Sequence, residues 1–425
     1  MKEDFLHYLL RFQKLGRPSS RIVTTAPIRV VHPGIPNKDE GPDFYDAKIW
    51  IGDTLWAGAV ELHLKSSFWY HHRHHLDKRY DSVILHVVWE EDVEVCYPSG
   101  RLLPCLELSK RISTQWVDRY YKIFEKIPHW IHCEKKFDRF PNLQWQNWKE
   151  RLYIERLEEK TQLIFSLLKA NKNNWEATLF QLMAKNFGLN RNGNIFLKWA
   201  KYLPYYIVQK NCHESGMLEA LFMGISGLLE GEMNAPYKKQ LRADYDYLKQ
   251  KFGFEDIPGL KANFRQLRPP NFPTIRLSQL AQLYVQNPRP FAQFIEAKKP
   301  KDLEWICKVG VSDYWRTHYT FDRESASTPK RLTRSFFELL VINTLIPLRF
   351  AYAQKQFGSA NEEIIQWIEV FPVETNSITK GFSRLGLQVS SALDFQALLQ
   401  LKNFYCDKKR CLRCSVGFHL FDFSL

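Results

Sequence analysis

The chain has 425 residues, which is enough for two or three domains that each bury their own core. Hydrophobic residues make up 45% of it and charged residues 25%, a globular composition that excludes a largely disordered chain. The formal net charge of +14 favours a polyanionic partner, such as nucleic acid, an anionic membrane or an acidic protein.

The N-terminal residues point away from secretion. Residues 1–4 (MKED) are acidic overall and lead into an amphipathic segment, whereas a signal peptide needs a basic start and an apolar run. The best candidate for a membrane span, 336–353, is interrupted by charged residues and Pro347, and is predicted to be a buried helix. We therefore expect a cytoplasmic protein with no membrane partner, whose eight cysteines are reduced thiols or metal ligands.

Hydrophobic periodicity predicts strands and helices in the first third of the chain. In chain order these are a helix over 3–14, strands over 28–31, 44–51 and 55–65, a short helix or ordered loop over 69–80, a strand over 83–89, and a hairpin of 93–97 with 101–108. The strands 44–51 and 55–65 should form a hairpin around Gly52. The predicted fold class is a mixed α/β sheet domain with flanking helices.

Helical patterns dominate from about residue 112 onward. The predicted helices cover 141–169, 174–187, 193–208, 214–230, 236–251, 331–356, 360–371 and 391–405. A proline-rich stretch at 268–273 separates two helical groups. The sequence thus predicts an α/β domain over 1–112, a helical domain over 113–265, and a second helical domain over 266–425.

The strand 55–65 carries a polar face. Alternation places Glu61, His63 and Lys65 on one side, with Leu62 and Leu64 toward the core. Hairpin pairing brings Asp43 near residues 63–65. Two carboxylates with a neighbouring basic group suit metal-assisted phosphodiester cleavage, because carboxylate oxygens hold Mg²⁺ or Mn²⁺ and a basic side chain orients the attacking water. A polar face on a half-buried sheet is the plain structural alternative.

This arrangement resembles the PD-(D/E)xK nuclease superfamily in its Pro42-Asp43 pair, its Glu61 on the next strand and its helix, three-strand, helix, strand order. The resemblance implies a restriction-endonuclease-like sheet, Asp43 and Glu61 as metal ligands, and a lysine that orients the base. The position two residues after the acid is His63 here, with Lys65 two further on. Either His63 substitutes, or Lys65 reaches in, or the chain is a catalytically inactive relative.

A histidine-rich run, HHRHHLD at 71–77, follows the strand. On a helix, His71 and His75 would share a face, as would His74 and Asp77, and such pairs can bind Zn²⁺. With Arg73 and Lys78, His74 could instead contact phosphate, or the run could be a solvated helix without a ligand. His86, inside the next strand, is predicted to be a core histidine.

Three cysteines near the C-terminus, Cys406, Cys411 and Cys414, have the spacing C-x4-C-x2-C, which suits Zn²⁺ or a [4Fe–4S] cluster. The fourth ligand stays open among His419, Cys133, Cys212 and Cys307. Basic neighbours, Lys408, Lys409, Arg410 and Arg413, are expected to lower the pKa of the thiols or to face phosphates. Three partly buried thiols without a metal are the alternative.

Further basic residues are candidate phosphate contacts. Arg268 and Arg276 flank the proline-rich stretch, and together with Lys409 and Arg410 they complete the predicted nucleic-acid contacts. Solvated charge is the plainer interpretation of each one taken alone.

The whole chain also resembles an uncharacterised bacterial family known as domain of unknown function 2851. The stretches that carry this resemblance are 3–8, 41–44, 52–58 through 65–67, 271–277 and the final cysteine cluster. The resemblance implies no assigned activity. The residues predict a Mg²⁺- or Mn²⁺-dependent nuclease with a basic helical region that binds nucleic acid. The alternatives are a non-catalytic nucleic-acid-binding protein and a Zn²⁺ hydrolase centred on residues 71–77.

Overall fold

The computed structural model describes residues 1–16, 27–37, 40–97, 99–124, 129–358 and 363–422. They form two compact units. The sheet unit is Met1–Trp148, Lys380–Gln388 and Leu399–Leu425, and the helical unit is Lys149–Thr379 and Val389–Leu398. These divisions differ from the three consecutive ranges predicted, because the last part of the chain belongs to the sheet unit instead of forming the end of a separate helical domain.

A six-stranded mixed sheet forms the centre of the sheet unit. Its strands are β1 (Ile28–His32), β2 (Ile35–Pro36), β3 (Phe44–Ile51), β4 (Thr54–Lys65), β5 (Val83–Glu90) and β6 (Cys105–Glu107). The order is β1-β3-β4-β5-β6, with β2 also beside β3. The turn at Gly52, which has φ 60°, makes β3 and β4 antiparallel, whereas the longer connection after Lys65 brings β5 back parallel to β4.

Among the described residues before residue 142, the α-helices are α1 (Glu3–Arg11), α2 (Phe68–His71) and α3 (Thr114–Phe124). Five side chains of helix α1 are buried: Phe5, Leu6, Tyr8, Leu9 and Leu10. They share a hydrophobic core with Val60 and Leu62 of β4. Because side chains alternate along a strand, Glu61 and His63 lie on the opposite face of β4, toward α2 and the turns that follow it.

The predicted second hairpin is present only near its turn, within the described residues. The backbone N–H groups of Tyr97 and Leu103 donate to the carbonyls of Arg101 and Val95, on either side of the bridge between Cys96 and Leu102. Residues 105–107 instead extend the sheet parallel to β5, and the backbone N–H of His86 donates to the carbonyl of Pro104. Proline lacks an N–H, so Pro104 divides the run 101–108 and leaves only its second part to form a strand.

The helices from residue 142 onward are α4 (Asn142–Ala170), α5 (Trp175–Phe187), α6 (Leu189–Tyr202), α7 (Tyr205–Asn211), α8 (Ser215–Ile225), α9 (Pro236–Phe252), α10 (Pro273–Gln286), α11 (Pro290–Glu296), α12 (Asp313–Thr317), α13 (Arg334–Leu340), α14 (Ile346–Phe357), α15 (Glu363–Glu369), α16 (Ser377–Arg384), α17 (Ala392–Gln400) and α18 (Ser415–Asp422). The helix predicted over 193–208 is two helices, because Pro204 cannot continue α6.

One helical stretch, Arg334–Phe357, is long and apolar enough to cross a membrane by length and composition. It comprises α13, a π-helical turn over Val341–Leu345, and α14. Of its most apolar window, 67% is buried inside the structure. The stretch thus packs as a core helix, as the interrupted sequence pattern predicted.

Candidate metal centre

Two carboxyl groups lie side by side at the end of the β3–β4 pair that is farthest from the Gly52 turn. The backbone N–H of Asp43 donates to Glu61 Oε2 at 3.1 Å, and the backbone N–H of Leu62 donates to Asp43 Oδ2 at 3.0 Å. These bonds continue the strand ladder through side chains and fix both carboxyls. Asp43 lies beside residues 61–62, not 63–65 as predicted, because β4 begins at Thr54 and a bulge with Asp46 at φ 56° shifts the register.

A row of imidazoles crosses the sheet beside Glu61, and two of its members, His63 and His86, are buried. His63 Nδ1 lies 2.9 Å from His86 Nε2, and His63 Nε2 lies 3.1 Å from His72 Nδ1. His63 and His86 are 2% and 0% exposed. His86 is therefore a hydrogen-bonded core histidine, as predicted, and it orients the His63 ring that faces the carboxyls.

The histidine-rich run approaches this row through a backbone reversal. Helix α2 ends at His71, and Arg73 adopts a left-handed conformation, with φ 61° and ψ 28°. As a result His72 and His74 approach the same point, and the predicted pairs His71/His75 and His74/Asp77 do not form the site. His74 Nε2 lies 3.3 Å from Glu61 Oε1, and its ring stacks on Tyr80 at 3.8 Å between centroids.

Ligand atoms of three histidines lie close together, and Glu61 adjoins two of them. His63 Nε2 lies 3.6 Å from Glu61 Oε1 and 3.1 Å from His72 Nδ1, and Glu61 Oε1 lies 3.3 Å from His74 Nε2. In a tetrahedral site with bonds of the usual Zn–N length, ligand atoms are about 3.4 Å apart. Ligand atoms of the three histidines all lie within 4.8 Å of one another. The residues present therefore fit a metal ion.

Burial controls the charge of this centre. Burial, with the neighbouring Glu61, raises the pKa of Asp43 to about 8, and burial raises the pKa of Glu61 to about 8. Burial lowers the pKa of His63 to about 2, so its imidazole is neutral and can be a ligand. At neutral pH the two acids keep their protons unless a cation lies beside them, which is the condition that a bound metal would satisfy.

One atom of the centre lacks a hydrogen-bond partner within the described part of the chain. His74 Nε2 is buried and makes no hydrogen bond, although it lies close to Glu61. A buried polar atom without a partner costs free energy, and a bound ligand, water or metal can satisfy it. The same atom lies 3.3 Å from Glu61 Oε1.

Helix α1 contributes two residues that the sequence analysis missed. His7 Nε2 lies 3.4 Å from Asp43 Oδ1, and Glu3 is near enough to raise the pKa of both Asp43 and Glu61. Glu3 and His7 are four residues apart and so share one face of the helix. That spacing was the only signal in the sequence, and it is common on amphipathic helices.

Lys65 lies apart from this group. Its Nζ is 3.5 Å from Glu90 and 3.9 Å from Asp92, and its side chain is 46% exposed. Of the four residues predicted to be catalytic, the structure brings Asp43, Glu61 and His63 together and pairs Lys65 with acids at the ends of β4 and β5.

The predicted phosphate contacts fall into different environments. Arg73, Lys78 and Arg268 are exposed, Lys409 and Arg410 are half-buried, and His74 turns inward to Glu61. Arg276 is only 6% exposed. It donates to Asn271 and Gln279, and its guanidinium lies 3.7 Å from the centre of the Phe336 ring. Its predicted role as a phosphate contact is therefore wrong, because α10 turns that side of the helix into the core.

Replacing Arg276 and, separately, Arg268 compares how a buried and an exposed arginine contribute to the stability of the protein. We expect Arg276→Met to lower the free energy of unfolding by on the order of 2 kcal/mol, because Asn271 and Gln279 lose their partners. Arg268→Met removes the same charge from an exposed position and should change it by less than about 0.5 kcal/mol. Urea denaturation of both variants measures the difference, and equal midpoints would contradict the buried role.

The three C-terminal cysteines lie near Cys133, which was one of the four candidates for the fourth ligand. Cys133, Cys406, Cys411 and Cys414 line one cavity of the sheet unit, whereas Cys212 and Cys307 belong to the helical unit. The expected lowering of the thiol pKa values is wrong. Burial raises the pKa of Cys411 to about 11 and of Cys414 to about 12, and it outweighs the opposing effect of Lys409 on Cys411.

Comparison with known proteins gives a family and no activity. No curated protein and no solved structure matches the chain. One family model, described as a protein of unknown function (DUF2851), matches residues 3–377, which include the sheet, the carboxyls and the histidines, and stop before Cys406. The chain therefore belongs to the DUF2851 family.

Proposed function

We propose that this protein is a metal-dependent hydrolase that cleaves phosphodiester bonds in nucleic acid. The observation that carries the proposal is the group of four ligand atoms from Glu61, His63, His72 and His74, spaced 3.1–3.6 Å along the contacts described and adjoining the second carboxyl of Asp43. Glu61 and His63 of this set are buried, and such polar groups serve no evident packing purpose, since hydrophobic side chains would fill the same space at lower cost.

The ligand types favour a transition metal. Imidazole suits Fe²⁺ and Zn²⁺ and carboxylate oxygens suit Mn²⁺, whereas Mg²⁺ prefers oxygen ligands and water throughout. With three histidines and one glutamate, the site fits Mn²⁺ or Zn²⁺ better than the Mg²⁺ that two carboxylates alone would favour. The cation would supply Lewis-acid stabilisation of the phosphorane-like transition state and a coordinated water of lowered pKa.

The protein's own side chains would orient the metal ligands and accept the proton of the attacking water. Asp43 is held by the Leu62 N–H, and its other oxygen faces His7, so it is positioned as a general base. His86 holds the ring of His63, which stays neutral. His72 is the exposed member of the histidine group and is the ligand best placed to make way for substrate.

The charge distribution supports nucleic acid as the substrate. The chain carries a net charge of +14, and two exposed basic side chains, Arg73 within the histidine-rich run and Lys78 directly after it, lie in this segment. The neighbouring Arg79 is neutralised by Asp77 and Glu40. Arg73 and Lys78 thus remain for phosphates on either side of a scissile bond.

A cleavage assay tests this function. The full-length protein is treated with EDTA and then assayed on single- and double-stranded DNA and RNA with Mn²⁺, Zn²⁺ or Mg²⁺. We expect cleavage with Mn²⁺ or Zn²⁺ and little with Mg²⁺. Salt-sensitive binding of nucleic acid by the metal-loaded protein, without turnover on any of the four substrates, would contradict the hydrolase and favour a non-catalytic binding protein.

The three imidazoles also support a second candidate, a Zn²⁺ hydrolase that acts on a different ester. A phosphodiester and a carboxylic ester of the same chromogenic phenol distinguish the two. Preference for the phosphodiester favours the nuclease, and hydrolysis of the carboxylic ester alone favours the second candidate.

A Lys65 variant tests whether this lysine takes part in catalysis, as the lysine of the nuclease motif does. We expect Lys65→Met to reduce the rate of metal-dependent cleavage by less than about tenfold, because its ammonium group pairs with Glu90 and Asp92 away from the ligand atoms. Single-turnover cleavage with saturating metal measures the effect. A loss of about a thousandfold would instead mean that Lys65 turns toward the substrate and does what the superfamily's lysine does.

A further inference from the structure

Four cysteines from distant parts of the chain meet in the sheet unit. Cys133 precedes the 3-10 turn Glu134–Arg139, Cys406 ends a π-helical turn, and Cys411 and Cys414 lie just before α18. All four line a cavity of about 530 Å³. The thiols of Cys411 and Cys414 lie within electrostatic range of Cys133 and also of Cys406. The sequence alone could not choose Cys133 as the fourth member.

Backbone donors surround the sulfur of Cys414. The backbone N–H groups of Val416 and Gly417, in the first turn of α18, lie beside it, as does the indole of Trp148. A neutral thiol is a weak acceptor, whereas a metal thiolate is a strong one, and such bonds tune metal–sulfur sites. These donors are a second feature, independent of the cavity, that points to a bound metal.

Gly417 shows how closely this turn is packed. A Cβ atom at that position would lie 2.1 Å from the carbonyl oxygen of Cys411. Only glycine permits this approach, which keeps the Cys411–Cys414 loop folded under α18 with both sulfurs toward the cavity. The close packing at Gly417 therefore helps to fix the positions of Cys411 and Cys414.

The spacing of the sulfur atoms distinguishes between metals. In the part of the chain that the structure describes, no three of these sulfurs lie within 4.8 Å of one another, whereas ligand atoms of His63, His72 and His74 do. A tetrahedral Zn²⁺ site needs sulfurs about 3.8 Å apart. In an iron–sulfur cubane each thiolate binds a different iron atom, so the sulfurs are farther apart.

Positive side chains surround the cavity. Arg119, Lys122, Lys135 and Lys136 line it with the cysteines. Four thiolates around an oxidised [4Fe–4S] core leave a net negative charge, which these side chains would offset.

We propose that Cys133, Cys406, Cys411 and Cys414 ligate a [4Fe–4S] cluster. The cluster links the segment after α3 to the C-terminal segment, so its role is to hold the end of the chain within the sheet unit. The proposal is separate from the hydrolase function, since none of its ligands belongs to the centre around Glu61.

Metal analysis of the full-length protein tests this directly. The protein is purified without oxygen and reconstituted with iron and sulfide, and its iron, acid-labile sulfide and zinc are measured per chain. We expect about four iron and four sulfide, with a visible charge-transfer absorption that dithionite bleaches. One zinc per chain with no sulfide, or no metal at all, would overturn the cluster.

A pair of cysteine variants tests the ligand set. Cys133→Ser should lose more than half of the iron and sulfide, whereas Cys96→Ser, in the same unit and outside the cavity, should keep both. Circular dichroism of both variants shows whether the helices persist, so that loss of the cluster is separated from unfolding. Full iron and sulfide in Cys133→Ser would overturn its assignment as a ligand.

Discussion

Glu61→Gln is expected to lower metal-dependent cleavage by at least about a thousandfold, which corresponds to several kcal/mol of lost transition-state stabilisation. The amide keeps an oxygen that can accept the N–H of Asp43, so the strand junction should survive. It removes the anionic oxygen that lies 3.3 Å from His74 and 3.6 Å from His63, and with it the one carboxylate among the four ligand atoms. Single-turnover rates on the substrate that the wild type cleaves best measure the loss.

Glu90→Gln is the matched control for this variant. It makes the same chemical change on the neighbouring strand, where the side chain is 55% exposed and pairs with Lys65. We expect its rate to stay within about threefold of wild type, because exposed ion pairs contribute little. Thermal unfolding of both variants shows whether they remain folded. Equal rates for Glu61→Gln and the wild type would exclude Glu61 as a ligand and remove the basis of the proposed function.

Local pattern was sufficient to predict much of the sheet. The apolar alternation of 44–51 and 55–65 and the Gly52 turn predicted β3 and β4 nearly to the residue, since a short hairpin is determined by its own sequence. The same alternation placed Glu61 and His63 on one face. The Asp43–Glu61 pair followed from that hairpin, although the start of β4 at Thr54 and the one-residue bulge at Asp46 changed the neighbour of Asp43.

The rest of the centre depends on features that periodicity does not contain. His72 and His74 meet because Arg73 adopts a left-handed conformation, which is uncommon for a residue with a side chain and ends the helical spacing assumed for the run. His7 reaches Asp43 through the packing of α1 on the sheet. Cys133 reaches Cys406 across more than half the chain, a contact that tertiary structure decides.

The second large effect is expected on metal affinity, from replacement of His72, a ligand that the sequence did not predict. We expect His72→Ala to weaken Mn²⁺ binding by at least about a hundredfold, because its Nδ1 lies 3.1 Å from His63 Nε2 in the coordination group. His72 is exposed, so its removal should leave the core intact. Calorimetric titration of the EDTA-treated protein measures the affinity. Mn²⁺ is the suitable probe, since the four thiols prefer softer metals and should not compete for it.

His71→Ala gives the matched comparison, because His71 is the adjacent exposed histidine and lies outside the ligand group. A site made only of Asp43 and Glu61 predicts equal Mn²⁺ affinity for both variants and Mg²⁺ binding of similar strength. A mixed site predicts that only His72→Ala loses Mn²⁺, and that the wild type prefers Mn²⁺ to Mg²⁺. The pair therefore decides whether the histidine-rich run forms part of the metal centre or only borders it, and the choice of metal in the hydrolase proposal depends on that answer.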